Sequence, residues 1–205
     1  MEQNNITSDF WGSMIHGQFP AVFVNKDNHL VDPPGFILRW RWTKGNSLDS
    51  RILPLLAGYE IQDAYWTCIE AYSTFYKKNT RAGLTLVEED YQYILSNGIK
   101  LSGSSLGLPM LIGLAGHINA KPWPKNTLAW GNIRPIRNNS FALYSVDRVT
   151  QKLKVGLAYG MKCLIHPPGD DTIKVDANQI VMPSTLEGTL NKIRTLQQSD
   201  KFVRL

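Results

Sequence analysis

The sequence predicts one domain that combines helices and strands, an α+β or α/β fold, of which we take α+β with mixed sheets and packed helices. Of the 205 residues, 43% are hydrophobic and 19% are charged, values that are typical of globular proteins and exclude wholesale disorder. Segments of strand period and segments of helical period both occur along the chain. We see no internal repeat and no linker. We therefore expect a flexible N-terminal arm over residues 1–20 and a single domain over residues 21–205.

Two strands and a long helix are predicted in the first part of the chain, followed by a third strand. Residues 21–25 and 35–43 read as strands separated by turn-forming residues. Over residues 59–78 the apolar positions recur every three or four residues, which predicts an amphipathic helix. Residues 90–95 include tyrosine and isoleucine, which favour strands, and they precede a Ser-Asn-Gly turn. We expect a third strand there.

The second part of the chain predicts three more helices and several short strands. The segment 101–117 is a loop of small residues that leads into an apolar helix ending near Gly116. Residues 121–139 are rich in proline and asparagine and contain short strand-like pieces. Another helix is expected over residues 146–159, and a strand is expected over residues 161–166. Residues 184–187 (Ser-Thr-Leu-Glu) form a capping box that predicts the start of the last helix.

Composition also limits the cellular setting and the cofactors. The longest nearly apolar stretch, residues 106–116, is much shorter than the roughly 20 residues that a membrane helix needs. The N-terminus lacks the pattern of a secretory signal. Cys68 and Cys163 are too few for a disulfide framework or a four-ligand zinc site, and both fall on apolar segments, so we expect them in the core. The sequence therefore predicts a cytoplasmic protein without membrane contact, metal or cofactor.

A net charge of +5 permits an anionic partner without requiring one. Residues 39–42 (Arg-Trp-Arg-Trp) resemble a nucleic-acid patch, but their alternation also fits a strand. In that strand Leu38, Trp40 and Trp42 share one face, and Arg39 and Arg41 share the other. We favour the strand.

The loop of residues 103–107 (Gly-Ser-Ser-Leu-Gly) is the most informative candidate for chemistry. A serine directly before a helix faces unpaired backbone N–H groups and the positive end of the helix dipole. A nucleophile and an oxyanion hole would then share one turn. The alternative is an ordinary helix cap, because serine is common at that position.

A catalytic serine needs a base, and the four histidines are poorly placed for that role. His117 lies at the far end of the same predicted helix, and the others, His16, His29 and His166, fall in the arm, a turn and a strand end. A buried lysine is another known base for serine. Lys152 lies at the edge of the apolar face of its helix. The alternative is a boundary lysine that extends its amine into solvent.

Four segments, in the same order along the chain, resemble the proteolytic domain of Lon-type proteases, which use a Ser–Lys dyad. The resemblance covers residues 20–198. Residues 103–108 (Gly-Ser-Ser-Leu-Gly-Leu) resemble the nucleophile loop, and 129–133 (Ala-Trp-Gly-Asn-Ile) resemble the Thr-Gly-Glu-Ile stretch. Residues 149–167 resemble the lysine helix and its following strand, and 180–187 resemble the closing strand and helix. Serine at position 104 is closer to the birnavirus polyprotein proteases, which are similar to Lon in this domain.

The resemblance implies a Lon-like α+β domain that hydrolyses peptide bonds with Ser105 as nucleophile and Lys152 as base. It implies backbone oxyanion donors at Gly103 and Ser104 and places Trp130 and Gly131 in the substrate-binding region. Trp130 stands where the family has a threonine that holds the lysine amine, so another oxygen has to orient Lys152.

The resemblance also bears on partners. The sequence has no phosphate-binding loop of the Walker type, so it carries no such ATPase of its own. An unfoldase or activator, if used, would be a separate partner acting with the protein or peptide substrate. Relatives often form rings through this domain, which leaves a homo-oligomer open.

Two rival functions remain at this stage. The first is a catalytically silent Lon-like domain that binds peptides or partners, which fits Trp130 and the polar N-terminal arm. The second, for which the pattern is weakest, is nucleic-acid binding through Arg39, Arg41 and the basic region 121–137.

Overall fold

The computed structural model describes residues 14–24, 34–137, 140–170 and 177–199, and this part of the chain has an α+β fold. Its strands are β1 (Gln18–Val24), β2 (Gly35–Thr43), β3 (Gly83–Leu86), β4 (Thr127–Ala129), β5 (Asn132–Ile136), β6 (Ser140–Tyr144), β7 (Cys163–His166) and β8 (Asn178–Val181). Its α-helices are α1 (Glu60–Tyr76), α2 (Glu88–Ser96), α3 (Gly107–Ile118), α4 (Val149–Ala158) and α5 (Leu186–Gln198). Short 3-10 turns lie at Leu53–Leu55 and Ser104–Leu106.

The first sheet is antiparallel, with the order β1-β2-β3. The alternation predicted for β2 is confirmed, because Leu38, Trp40 and Trp42 are all buried in the core. The indole N–H of Trp42 donates to the carbonyl of Met110, at 3.0 Å, and so ties this sheet to α3. The two tryptophans belong to the core and are not available for base stacking.

A second sheet is parallel, with the order β4-β7-β8, and β5 and β6 form a separate antiparallel hairpin. Parallel neighbours need a crossover connection, and the chain between β4 and β7 contains the hairpin and α4. The residues that follow β4, β6 and β7 are thereby brought near one another. Of these three segments, the one after β6 (residues 145–148) lines the candidate site, and the other two are hydrogen-bonded to it through Asp170.

Helix α3 is at the centre of the fold. Every residue from Gly107 to Gly116 is buried, as expected for a helix that is apolar on all sides. It packs against β1 and β2 on one side and against α1 and α5 on the other. The predicted apolar helix is confirmed, and it ends at Ile118, two residues beyond Gly116.

The predicted strand at residues 90–95 is wrong, because these residues belong to α2. Three acidic residues, Glu88, Glu89 and Asp90, occupy the first turn, where the positive end of the helix dipole stabilises them. Only Ile94 is fully buried in this helix. The strand preference of the tyrosines is overridden in this surface helix, which docks on the core through Ile94.

Other boundaries moved by a few residues. Strand β1 begins at Gln18, so the last three residues of the predicted arm belong to the sheet, while residues 1–13 lie outside the described residues. The last helix is capped by Thr185 and not by Ser184: the Thr185 side chain accepts from the backbone N–H of Gly188 at 3.2 Å. Among the described residues, no helix is both long and apolar enough to cross a membrane.

The central position of α3 predicts a large stability loss when its core is trimmed. Leu114 is 0% exposed, so we expect Leu114→Ala to lower the free energy of unfolding by about 2–5 kcal/mol through lost burial and a residual cavity. Leu157→Ala in α4 is the matched control, because Leu157 is exposed and its change should stay within about 0.5 kcal/mol. Urea titration followed by tryptophan fluorescence measures both. Equal losses for the two variants would contradict the central position of α3.

Candidate active site

The structure brings Ser105 and Lys152 to the wall of one cavity of about 330 Å³. Other parts of the wall come from residues 22–24 of β1, the loop 102–104 and the segment 145–148, together with Glu60 and Arg134. A cavity of this size is at the lower end of the range for small-molecule sites and is open to solvent on one side. Residues far apart in the sequence therefore share one concave surface.

Backbone geometry holds Ser105 at the entrance to α3. Gly103 has φ +127°, a conformation that other residues rarely adopt, and the 3-10 turn at Ser104–Leu106 follows directly. The carbonyl of Ser105 accepts from the N–H of Gly131 at 3.1 Å, and the carbonyl of Gly131 accepts from the N–H of Leu108 at 2.9 Å. The chain is thus fastened to the β4–β5 connection at the serine itself and three residues after it.

The start of α3 approaches the neighbouring strand closely. A Cβ added at Gly107 would lie 2.7 Å from the backbone nitrogen of Ile133, so only glycine fits there. The thiol of Cys68 on α1 donates to the carbonyl of Gly107 at 3.1 Å. These contacts leave the serine little freedom to move relative to the core.

Gly103 and Ser104, the predicted oxyanion donors, both line the cavity beside Ser105. They precede the first turn of a buried helix, where backbone N–H groups have no partner within the helix. The helix dipole adds partial positive charge at this end. The location suits stabilisation of a negatively charged oxygen, and that role remains a prediction.

Lys152 lies in the first turn of α4 and is 6% exposed. Burial lowers its pKa to about 8, because the ammonium form loses hydration in the protein; Asp147 and Asp170 act in the opposite direction, and Arg148 lowers the pKa further. The nearby N-terminus of α4 also disfavours a cation. A substantial share of Lys152 is therefore a neutral amine near pH 8, which a solvent-exposed lysine is not.

The backbone before Lys152 has an unusual conformation. Arg148 adopts a left-handed conformation with φ +60° at the N-cap of α4, which is uncommon for a residue other than glycine. Its carbonyl accepts from the N–H of Lys152 at 3.0 Å. Such conformations cluster at functional sites, where the surrounding structure maintains them.

Trp130 and Gly131 were predicted to lie in the substrate-binding region, but neither is among the cavity-lining residues. Trp130 is 1% exposed, stacks on His166 with the rings 5.8 Å apart, and donates its indole N–H to Asp170 Oδ2 at 2.8 Å. Gly131 uses its N–H and its carbonyl to hold the loop around Ser105. Both residues thus support the walls of the site and do not form its surface.

Sequence reasoning missed Ser145 and Asp170. Asp170 is 8% exposed and accepts hydrogen bonds from Trp130 and from the hydroxyl of Ser145, which lines the cavity. Asp170 follows a Pro-Pro-Gly turn after β7, so its identity looked like ordinary turn chemistry. Only the packing of this turn against the residues after β4 and β6 shows that the carboxylate is enclosed.

The remaining candidate groups lie elsewhere. His16, His117 and His166, the described histidines, do not line the cavity, and His29 lies outside the described residues. Cys68 and Cys163 are buried free thiols, as predicted for core residues, and burial raises the pKa of each. Within the described ranges, no group of three or more His, Cys, Asp or Glu residues is arranged to hold a metal.

Arg39, one of the two basic residues of β2, is held in ion pairs. Arg39 pairs with Asp90 at 2.8 Å and with Glu89 at 3.5 Å, and the tryptophans between the arginines are buried. This arrangement gives no support to nucleic-acid binding at residues 39–42.

Comparison of the chain with models of known protein families and with curated protein sequences gave no match. The functional argument therefore rests on the geometry of the site and on the sequence motifs.

The burial of Lys152 predicts a stability difference that depends on pH. Between about pH 8 and 10.5 the unfolded chain binds a proton at this lysine that the folded protein does not, so the folded protein gains stability as pH rises. We expect Lys152→Met to be more stable than wild type at pH 7, by up to about 3 kcal/mol, with the difference shrinking toward pH 10.5. Urea titrations of both proteins across this pH range measure it.

Lys154→Met is the matched control, because Lys154 lies on the same helix and is exposed. Its effect on the free energy of unfolding should stay within about 0.5 kcal/mol. A Lys152→Met difference that is the same at pH 7 and pH 10 would contradict a lowered pKa at Lys152.

Proposed function

We propose that the protein is a serine endopeptidase in which Ser105 is the nucleophile and Lys152 the general base. The observation that carries this proposal is the shared cavity: a serine at the entrance of a buried helix and a buried lysine whose pKa is lowered to about 8 line the same cavity. The resemblance of both segments to Lon-type proteases supports the same pair. A lysine used as a base has to be neutral at working pH, and burial provides this.

The chemistry follows in two halves. Neutral Lys152 takes the proton of the Ser105 hydroxyl while the serine oxygen bonds to the carbonyl carbon of the substrate, and the protonated amine then passes the proton to the leaving nitrogen. This breaks the peptide bond and leaves an ester on Ser105. Lys152, neutral again, takes a proton from water, which attacks the ester and releases the new carboxyl end with the serine restored.

Backbone N–H groups at Gly103, Ser104 and Ser105 would stabilise the negatively charged oxygen of both tetrahedral intermediates. Donors of this kind contribute about 3–4 kcal/mol to transition-state stabilisation in enzymes where single donors were removed. The buried α3 behind them adds a dipole of the same sign. The hydrogen bonds of Gly131 to the carbonyl of Ser105 and the N–H of Leu108 support this role, because they hold the chain next to the proposed donors.

Strand β1 suits the binding of an extended peptide. It is the terminal strand of its sheet, and its residues 22–24 line the cavity. Alternate residues of a terminal strand direct their N–H and carbonyl groups away from the neighbouring strand. A substrate segment would pair with this edge and place its scissile bond at Ser105, a common way of holding extended chains.

The proposal includes the setting in which the enzyme works. Substrates would be flexible segments of proteins or peptides, delivered where necessary by a separate unfoldase, since the sequence has no Walker-type loop. Two free buried thiols fit the reducing cytoplasm.

Removal of either dyad member should abolish cleavage and leave the fold intact. We expect Ser105→Ala and Lys152→Ala each to lower the cleavage rate of an unfolded protein by at least about 10³-fold, because neither the nucleophile nor its base can be replaced by water. Lys154→Ala, on the exposed face of the same helix, should cleave at the wild-type rate. Intact-mass spectrometry detects the fragments, and circular dichroism checks the fold.

Full cleavage by purified Ser105→Ala would refute the dyad. The silent binding domain would be favoured if wild type binds a peptide but does not cleave it, even when extract of the cells that produce the protein is added.

Lys152 also determines the expected pH dependence. Only the neutral amine accepts the serine proton, so kcat/KM should rise as pH passes through about 8 and level off above it. Initial rates with a fluorogenic peptide from pH 6 to 10 measure this limb. A rate that is independent of pH between 6 and 9 would contradict Lys152 as the base.

A further inference from the structure

Asp170 is a nearly buried carboxylate that the dyad mechanism does not use. It is 8% exposed, and both of its oxygens accept hydrogen bonds: Oδ2 from the indole N–H of Trp130 at 2.8 Å and Oδ1 from the hydroxyl of Ser145. The two donors come from different parts of the chain, one after β4 and one after β6. Burying a carboxylate is costly unless such bonds are made, so its place beside a cavity calls for an explanation.

The carboxylate fixes the direction of the Ser145 hydroxyl. An ionised carboxylate can only accept hydrogen bonds, so the hydroxyl proton of Ser145 points at Asp170. The oxygen of Ser145 can then use only its lone pairs, so it can accept a further hydrogen bond but cannot donate one. Since Ser145 lines the cavity together with Lys152, it offers an acceptor to a donor within the cavity.

A lysine that acts as a base needs such acceptors. A neutral amine has two N–H donors and one lone pair, and the lone pair points at Ser105 only if the N–H groups are held in other directions. In a buried location these N–H groups also cost free energy if they stay unpaired. Trp130 cannot supply the acceptor, because its indole has only a donor and that donor is used by Asp170.

We propose that the hydroxyl of Ser145, oriented by Asp170, is the acceptor that positions the amine of Lys152 toward Ser105. This inference rests on the proposed dyad. Ser145 is a positioning residue that acts through Lys152, and Asp170 acts through Ser145. Hydrogen bonds of Asp170 join the segments that follow β4, β6 and β7, and the proposed contact would link them to the first turn of α4.

Charged groups around the amine have to be considered together. Those that line the cavity or act on the charge of Lys152 are Glu60, Arg134, Asp147, Arg148 and Asp170. Asp147 and Asp170 both favour the ammonium form, Asp147 more strongly, although Asp147 is exposed and therefore sensitive to salt. Loss of the Asp170 charge should therefore lower the pKa of Lys152 and also release the Ser145 hydroxyl.

The kinetic test compares four variants of the full chain with wild type. At the alkaline plateau, where Lys152 is neutral in every protein, we expect Ser145→Ala and Asp170→Asn to lower kcat about 10- to 100-fold with KM changed less than about 3-fold, because the amine is misdirected. Ser145→Thr keeps the hydroxyl and should recover most of kcat. Glu70→Gln removes an exposed carboxylate of α1 that does not line the cavity, and should match wild type.

The pH profile separates positioning from charge. Asp170→Asn should move the rising limb of kcat/KM to lower pH, since a negative charge near the ammonium is lost. A pure charge effect would move the limb and leave the plateau at the wild-type value. A plateau in Ser145→Ala equal to that of wild type would overturn the proposal.

A second measurement does not depend on peptidase activity. Brief labelling with acetic anhydride across pH, followed by peptide mass spectrometry, gives the pKa of Lys152 directly in each variant. We expect a lower pKa in Ser145→Ala and Asp170→Asn and no change in Glu70→Gln. If Ser105→Ala still cleaves, the proposed dyad is wrong. The labelling experiment still tests the positioning contact in that case: an unchanged pKa of Lys152 in Ser145→Ala would overturn the contact, and a lowered pKa would support it.

Discussion

Helix α3 has to be buried because it is apolar on every face, and the geometry of the candidate site follows from that burial. The helix starts where Gly107 meets the backbone of Ile133, so its first turn cannot shift along or away from β5. Ser105 stands just before this turn and lines the cavity. The place of the proposed nucleophile is therefore set by core packing and not by the conformation of a free loop.

The burial of Lys152 has a cost in stability, whereas the burial of α3 stabilises the fold. Leu153 and Val155 anchor α4 in the core, and the same anchoring draws Lys152 out of water. Burying the amine reduces the stability of the folded protein at neutral pH, while it produces the neutral base that the proposed chemistry needs. The left-handed Arg148 and the enclosed Asp170 lie around the same cavity, so several unfavourable features are concentrated in one region.

The elements that could be predicted from the sequence are those in which a few consecutive residues carry the periodicity of a strand or the composition of a buried helix. The alternation of β2 and the unbroken apolar run of α3 each indicate one structure only, and both are confirmed. The strand predicted for residues 90–95 is wrong, because the prediction followed the strand-favouring tyrosines and not the acidic first turn of α2. Ser105 and Lys152 were found through motifs, whereas Asp170 was missed, because its contacts with Trp130 and Ser145 span three separate segments and leave no periodic mark.

Pro20 lies in the middle of β1, the terminal strand of its sheet. A proline has no N–H to offer, and in a sheet it is tolerated at an edge with its nitrogen facing outward. The outer row of donors on β1 is therefore interrupted at Pro20, and continuous pairing with another chain is confined to the apolar residues 21–24 beside the cavity. The same interruption shortens the stretch of β1 along which a second copy of this protein could pair edge to edge, so Pro20 limits strand-to-strand association to the end of β1 beside the cavity.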